Sequence, residues 1–244
     1  MAETLIVMGI IGVVAALTIP NVNKNTGEVE KVARFKKLYA ELNEALDRAT
    51  AVYGPYQKWY NSCKNIYSEE NYDECVIKRI TEFMKVTKYC DYDNQYDCMP
   101  QKVGHLGHSS NENRYWGNYG VILANGASFS CAAYNDGYFF LDIDGPKKGK
   151  NSFGIDLFSF SEPNEFTNNC LYPIIDQTLE EFRDNIGGCT KAGHGFNCGQ
   201  WILDNGNMDY LMVKDRSTYD LSRTCPNGKK LGYNTADGDV QSCK

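Results

Sequence analysis

An uncharged apolar run near the start of the chain limits what the rest of it can do. From Thr4 to Ile19 the sequence holds no charged residue, and its only polar side chains are two threonines. Threonine hydroxyls can bond back onto a helix, so the run indicates a helix that is apolar on every face. Such a helix must be kept from water.

Three ordinary interpretations compete for this run. A cleaved secretory signal has positive charge before the apolar run and a small-residue cleavage site after it, but here the first lysine is Lys24 and the run ends in Ile19-Pro20-Asn21. A core helix that is apolar all round at the chain terminus would need a large core wrapped around it. A membrane span normally takes about 20 apolar residues, and this run is slightly shorter.

The start of the chain resembles the N-terminal signature of type IV pilins and of the related type II secretion pseudopilins. That signature has an aromatic residue, Thr, two further residues, Glu, a long apolar run with Gly, then Ala-Ala and Pro-Asn. Here Glu3, Ala15-Ala16 and Pro20-Asn21 match it with the Glu-to-Pro spacing intact. The leader and the leading Phe-Thr of the family are absent, so we expect the mature N-terminus about two residues before Met1, at an N-methylated Phe.

The resemblance implies a structural subunit that polymerises through its N-terminal helix into an extracellular filament. Its implied partners are further copies of the chain, the inner-membrane assembly machinery and the prepilin peptidase. Its implied location is the inner membrane before assembly and the cell surface afterwards. The carboxylate near the start would pair with the N-terminal amine of a neighbouring subunit. The predicted assembly residues are Glu3, Leu5, Ile10, Val13, Val14, Leu17 and Pro20.

Other functions stay open. Within the family the chain could be a minor or tip pilin, or a secretion or competence pseudopilin. From another class, it could be an exported binding domain tethered by an uncleaved anchor, although a simple anchor has no use for Glu3. No G-x-S-x-G, P-loop or H-E-x-x-H is present, so we predict no enzyme. A formal net charge of -6 argues against a nucleic-acid partner.

Hydrophobic periodicity divides the chain into three parts. Residues 1–27 form the hydrophobic helix, and residues 28–53 continue it as an amphipathic helix with apolar positions three and four apart. Residues 54–244 form a globular, cysteine-rich head. Proline removes a helix hydrogen bond, so Pro20 predicts a kink or a locally unwound segment.

The clearest β signal lies in the middle of the head. Asn125-Gly126 separates two apolar-rich runs and predicts a hairpin of residues 119–123 and 128–133. Residues 138–143 and 155–160 predict two further strands, and residues 75–86 and 179–186 predict short helices. The predicted fold is α+β: a long N-terminal helix packed on an antiparallel sheet of about four strands at 119–160. A long, disulfide-rich loop region follows over 161–244.

The cysteines predict a disulfide framework. Their count of ten is even, and no C-x-x-C occurs, so a zinc ribbon or a thioredoxin-type pair finds no support. An exported chain lies in an oxidising compartment, where such cysteines pair. Pairing between sequence neighbours predicts Cys63 with Cys75, Cys90 with Cys98, Cys189 with Cys198 and Cys225 with Cys243, which leaves Cys131 with Cys170.

One acidic segment carries the single predicted metal site. Asp142 and Asp144, followed by Asn151 and Asp156, place oxygen ligands around a loop between two predicted strands. Calcium prefers carboxylate and amide oxygens on a flexible loop. The pattern is not an EF-hand, and the sequence favours the alternative that these side chains serve turn geometry. No other cofactor is predicted, since the three histidines lack a ligand spacing.

Overall fold

A computed structural model describes residues 2–64, 72–106, 112–114, 116–132, 137–163, 171–173, 189, 194–196, 198–212, 232–233 and 240–241. Over residues 2–26 it describes the backbone and not the side chains. Within this part of the chain the protein has a long N-terminal helix and an antiparallel sheet, which confirms the α+β class.

Helix α1 runs over Ala2–Tyr53, 52 residues, or about 78 Å at 1.5 Å per residue. It stays helical through Pro20, so of the kink or unwound segment predicted there the unwound segment is wrong and the kink stays a prediction. The helix ends where predicted, because Gly54 takes a positive φ of 82° and its N–H donates to the Thr50 carbonyl at 2.9 Å.

The second half of α1 packs on the head along one face. The residues that this face buries recur three and four positions apart, as expected for an amphipathic helix. The exposed Val29 lies off this face, with 68% of its surface accessible. The buried residues are Val32, Phe35, Leu38, Leu42, Ala45, Leu46 and Ala49.

The central sheet has six antiparallel strands in the order β1-β4-β5-β6-β7-β8. The four predicted strands form its middle: β4 (Tyr119–Leu123), β5 (Ser128–Ala132), β6 (Tyr138–Asp142) and β7 (Leu157–Ser161). The sheet is thus roughly as predicted, and β1 (Val86–Asp91) and β8 (Tyr172–Pro173) add an edge strand on each side. Separate short pairs are β2 (Lys102–Val103) with β3 (Glu112–Asn113), and β9 (Gly232–Tyr233) with β10 (Val240–Gln241).

The predicted helix at 75–86 is displaced. Helix α3 covers Tyr72–Thr81, and the chain then turns and enters edge strand β1. A short helix α2 (Trp59–Lys64) precedes α3, and helix α4 (Cys198–Asn205) contains the short apolar segment at 201–203. The predicted helix at 179–186 lies outside the described residues.

The sheet separates two apolar clusters. On the face toward α1, Phe35 packs against Phe158 of β7, with ring centroids 4.4 Å apart. On the other face, Phe140 of β6 meets Trp116 at 5.3 Å. Residues 139 and 140 therefore point to opposite faces, as the period of two in a strand requires.

Candidate functional site

The predicted assembly residues all lie on the first turns of α1. The backbone of Glu3, Leu5, Ile10, Val13, Val14, Leu17 and Pro20 is helical, and their side chains are outside the described part. Among the helical residues whose side chains the structure describes, no stretch is long and apolar enough to cross a membrane.

Three of the predicted disulfides are present in the head. Cys63 is bonded to Cys75, Cys90 to Cys98, and Cys189 to Cys198. The first ties α2 to α3, and the second ties edge strand β1 to Cys98, directly after the 3₁₀ turn Tyr92–Asp97. Cys131 is buried in β5, and its sulfur lies 3.6 Å from the carbonyl oxygen of Asp73. Its predicted partner Cys170, and the pair Cys225 with Cys243, fall outside the described residues.

The loop between β6 and β7 brings the four predicted metal-ligand residues together. Asp142 is the last residue of β6, and Asp156 directly precedes β7, so the sheet fixes both. Asp144 and Asn151 lie on the loop between them. A side chain at Gly149, whose φ is 69°, would collide with carboxylate oxygens of both Asp144 and Asp156. The two carboxylates therefore face the same small volume, and glycine keeps it open.

Asp142 is fully buried, and only one of its two carboxylate oxygens accepts hydrogen bonds from the backbone. Its Oδ1 accepts hydrogen bonds from the backbone N–H of Asp144 at 3.2 Å and of Gly145 at 2.8 Å. Its Oδ2 is buried and accepts no hydrogen bond from an N–H or a hydroxyl group. Oδ1 thus performs the turn role that the sequence favoured, while the side chain also faces the carboxyl group of Asp144, to which a shared proton would bond it.

Asp156 holds the far end of the loop. Its side chain is fully buried and accepts hydrogen bonds from the backbone N–H groups of Lys150, Asn151 and Ser152. Asn151 has a left-handed backbone, with φ 50°, and its Nδ2 donates to the Pro146 carbonyl at 3.2 Å. These bonds impose one conformation on the loop.

Three side-chain oxygens of the loop are buried and accept no hydrogen bond: Asp142 Oδ2, Asp144 Oδ1 and Asn151 Oδ1. Buried polar atoms without a partner are uncommon in folded proteins and each calls for an explanation. All three belong to residues that the sequence selected as calcium ligands, and all three are hard oxygen donors. The residues present fit a calcium ion chemically.

Burial dominates the electrostatics of this loop. Together with the charges of Asp144 and Asp156 and a side-chain hydrogen bond to Asp144, and against the Gly145 N–H, burial raises the pKa of Asp142 to about 8. Burial also raises the pKa of Asp156, against the N–H groups of Ser152 and Lys150 and the Lys31 ammonium, which lower it. Ionised carboxylates crowded in a buried loop are costly unless a cation offsets them.

One residue of the loop's surroundings was missed by the sequence analysis. The ammonium of Lys31, on α1, lies 3.9 Å from Asp156 Oδ2. Helical periodicity places Lys31 on the polar side of α1, which says nothing about which loop comes to meet it. Only the tertiary packing of the β6–β7 loop against α1 brings the two together.

The two described histidines, His105 and His194, pack against each other and against aromatic rings. His105 and His194 lie side by side, with ring centroids 4.8 Å apart, and a hydrogen bond of 3.2 Å joins His105 Nδ1 to the His194 carbonyl. Their rings pack on Phe153 and Phe196. His108 lies outside the described residues.

No protein-family model, no curated protein and no solved structure matches the chain. In the described ranges, no three His, Cys, Asp or Glu side chains already stand in a metal-coordinating arrangement. The buried oxygens that accept no hydrogen bond are therefore what points to a cation in the β6–β7 loop, called the acidic loop below.

Proposed function

We propose that this protein is a structural subunit of a type IV pilus-like extracellular filament. The observation that carries the proposal is the single helix Ala2–Tyr53. It joins the pilin-like N-terminal sequence, without a break, to the face that packs on the antiparallel sheet. Such a joint holds the head in a fixed relation to a filament core, whereas a tethered domain needs only a flexible linker.

In this proposal the two halves of α1 have different partners. The first half packs against copies of itself, through Leu5, Ile10, Val13, Val14 and Leu17. Glu3 pairs with the N-terminal amine of the adjacent subunit and sets the register, because a carboxylate in an apolar environment is retained when a partner offsets its cost. Before assembly the same half anchors the chain in the inner membrane, and prepilin peptidase removes the leader.

The test is a substitution of Glu3 in cells that express the full-length protein. Glu3→Ala should leave the amount of protein in the membrane fraction unchanged and sharply reduce sheared surface filaments, seen by electron microscopy and identified by mass spectrometry. Glu30→Ala, an exposed glutamate on the same helix, is the matched control and should give normal filament yield. Normal filaments from Glu3→Ala would refute the role of Glu3.

The runner-up is an exported binding domain tethered by its N-terminal helix. If the wild-type protein makes no filaments, this result favours the tethered binding domain over the filament subunit. A minor or tip subunit, or a secretion or competence pseudopilin, would instead appear as a small fraction of a filament built mainly from another protein. The stoichiometry of the sheared material separates these cases.

We also infer that the acidic loop of the head binds calcium. The supporting observation is that three buried side-chain oxygens accept no hydrogen bond, one each from Asp142, Asp144 and Asn151. A hard divalent cation would accept all three as ligands and offset the buried negative charge. Its part would be structural, holding β6 and β7 at the loop end.

Thermal unfolding of the full-length protein in detergent tests this inference. Calcium should raise Tm relative to a chelator. At a hundredfold excess of calcium over Kd, the free energy of unfolding should rise by about 2.7 kcal/mol. Asp144→Ala should abolish the difference, whereas Asp47→Ala, an exposed aspartate on α1, should keep it. Identical melting of the wild type in calcium and in chelator would leave turn formation as the role of these residues.

A further inference from the structure

The contact between Lys31 and Asp156 differs from the other ion pairs of the described residues. The Asp156 side chain is fully buried, and the Lys31 side chain is 29% exposed. In every other described pair both partners are more accessible than Asp156, as in Lys37 with Glu41 at 71% and 39%. An exposed pair contributes little to stability, whereas a partly buried one feels much less screening by water.

The loop has its own lysines, but they point elsewhere. Lys147, Lys148 and Lys150 are exposed. Lys150 reaches Asp156 only through its backbone N–H. Among the described side chains, the Lys31 ammonium is the one positive group within 4.0 Å of the three loop carboxylates. A monovalent cation carried by α1 therefore stands beside Asp156, whose Oδ2 faces the same small volume as the Asp144 carboxylate.

We propose that Lys31 is a built-in competitor of calcium at the acidic loop, and that an ion bound there displaces its ammonium from Asp156. This inference rests on the calcium site proposed above. Two cations beside one carboxylate repel each other, so the ammonium lowers calcium affinity, and bound calcium weakens the ammonium's hold on Asp156 by the same factor.

The competition couples the acidic loop to α1, the helix through which we propose that the protein assembles. Lys31 lies on α1 just before Val32, the first residue of the buried face. One turn further along, Arg34 Nη2 donates to the Asn125 carbonyl in the β4–β5 turn at 2.8 Å. The two contacts hold the start of the buried part of α1 to the loop ends of the sheet. Bound calcium would remove the contact of Lys31 with Asp156 and leave the hydrogen bond of Arg34 to Asn125. Helix α1 would then have one contact fewer with the head, at the point where its amphipathic half begins.

Substitutions of Lys31 in the full-length protein in detergent micelles test the proposal. Lys31→Met keeps most of the stem and removes the charge. Calcium affinity from isothermal titration calorimetry should rise at least about tenfold, the factor for a charge of +1 and one of +2 roughly 6 Å apart even with the screening of bulk water. Lys37→Met, an exposed lysine on the same helix, should stay within about twofold of wild type. Lys31→Arg keeps the charge, so its calcium affinity should also stay within about twofold of wild type.

The outcomes separate this inference from the calcium site itself. If wild type and Lys31→Met bind calcium with equal affinity, the competition is wrong and the site stands. If neither binds calcium, the site and the competition both fail. Near-ultraviolet circular dichroism checks that each variant is folded. Should Lys31→Met not fold, Lys31→Gln provides a second uncharged side chain, and the same tenfold gain is expected of it.

Discussion

The docking of α1 on the sheet depends most directly on Phe35. Its side chain is fully buried, with ring centroids 4.4 Å from Phe158 and 6.1 Å from Phe160, both on β7. Tyr39, one turn later on α1, stacks on Phe160 at 5.7 Å. Phe35→Ala would empty the centre of this aromatic contact and leave the backbone of helix and sheet unchanged.

The expected cost follows from burial and from the cavity. Burying an aromatic side chain removes about 150–250 Å² from water, which at about 25 cal/mol per Å² gives about 4–6 kcal/mol. Phenylalanine-to-alanine changes in cores cost about 3–5 kcal/mol, so we expect a loss of about 4 kcal/mol. In a domain of this size each kcal/mol moves Tm by about 2–4 °C, and Tm should fall by about 8–16 °C.

The assay is urea unfolding of the full-length protein in detergent, followed by near-ultraviolet circular dichroism, which reports packed aromatic rings. Val29→Ala is the control, because Val29 lies on the same helix with 68% of its surface exposed, and it should change stability by less than about 0.5 kcal/mol. A loss below about 1 kcal/mol for Phe35→Ala would show that α1 is not part of the head's core.

Three further outcomes are expected. Replacing Cys63 and Cys75 together by serine opens a loop with a sequence separation of 12 and should cost about 3 kcal/mol in urea unfolding. Gly117→Ala should prevent folding or cost far more than Gly54→Ala. Both glycines have a positive φ, but a Cβ at Gly117 overlaps the backbone of β5 while one at Gly54 meets nothing. Burial raises the pKa of Glu162, so its contribution to stability is present at about pH 4 and is lost as the pH rises through the raised pKa. Glu162→Gln should therefore raise Tm at about pH 8 and leave it unchanged at about pH 4.

The elements that local pattern determines were predictable from the sequence. The Asn125-Gly126 turn between two apolar runs located β4 and β5 within one residue, because such a turn fixes the register of its two strands. The three-and-four spacing of apolar residues located the buried face of α1. The end of α1 was equally clear, since Gly54 followed by Pro55 cannot continue a helix.

The two edge strands were missed for a physical reason. In β1, Thr87, Lys88 and Tyr89 are exposed, and only Cys90 is buried. An edge strand that faces water on one side and meets a loop on the other carries no period-two apolar pattern. It is recognisable only by its pairing with β4, which is a tertiary contact. Strand β8 has two residues, too few for any pattern.

The acidic loop shows both the strength and the limit of reading ligands from sequence. The spacing of Asp142, Asp144, Asn151 and Asp156 was enough to select the four residues that the structure brings together. It could not show that Asp142 divides its two oxygens, Oδ1 to the turn and Oδ2 to no donor. The turn and metal interpretations, which the sequence treats as alternatives, are compatible in one side chain.

The position of this loop also bears on how a cation would be held. Asp142 ends β6 and Asp156 precedes β7, and the Ile143 N–H donates to the Asp156 carbonyl at 2.9 Å, so the sheet orders both carboxylate-bearing ends in advance. The segment between them is held by the hydrogen bonds to the Asp156 side chain, and Gly145 and Gly149 supply its positive φ angles. Preorganised ligands lose little conformational entropy on binding, so the affinity of this loop for calcium would depend directly on its own oxygens. Asp142→Asn, which removes Oδ2, should therefore abolish calcium binding while preserving the Oδ1 turn.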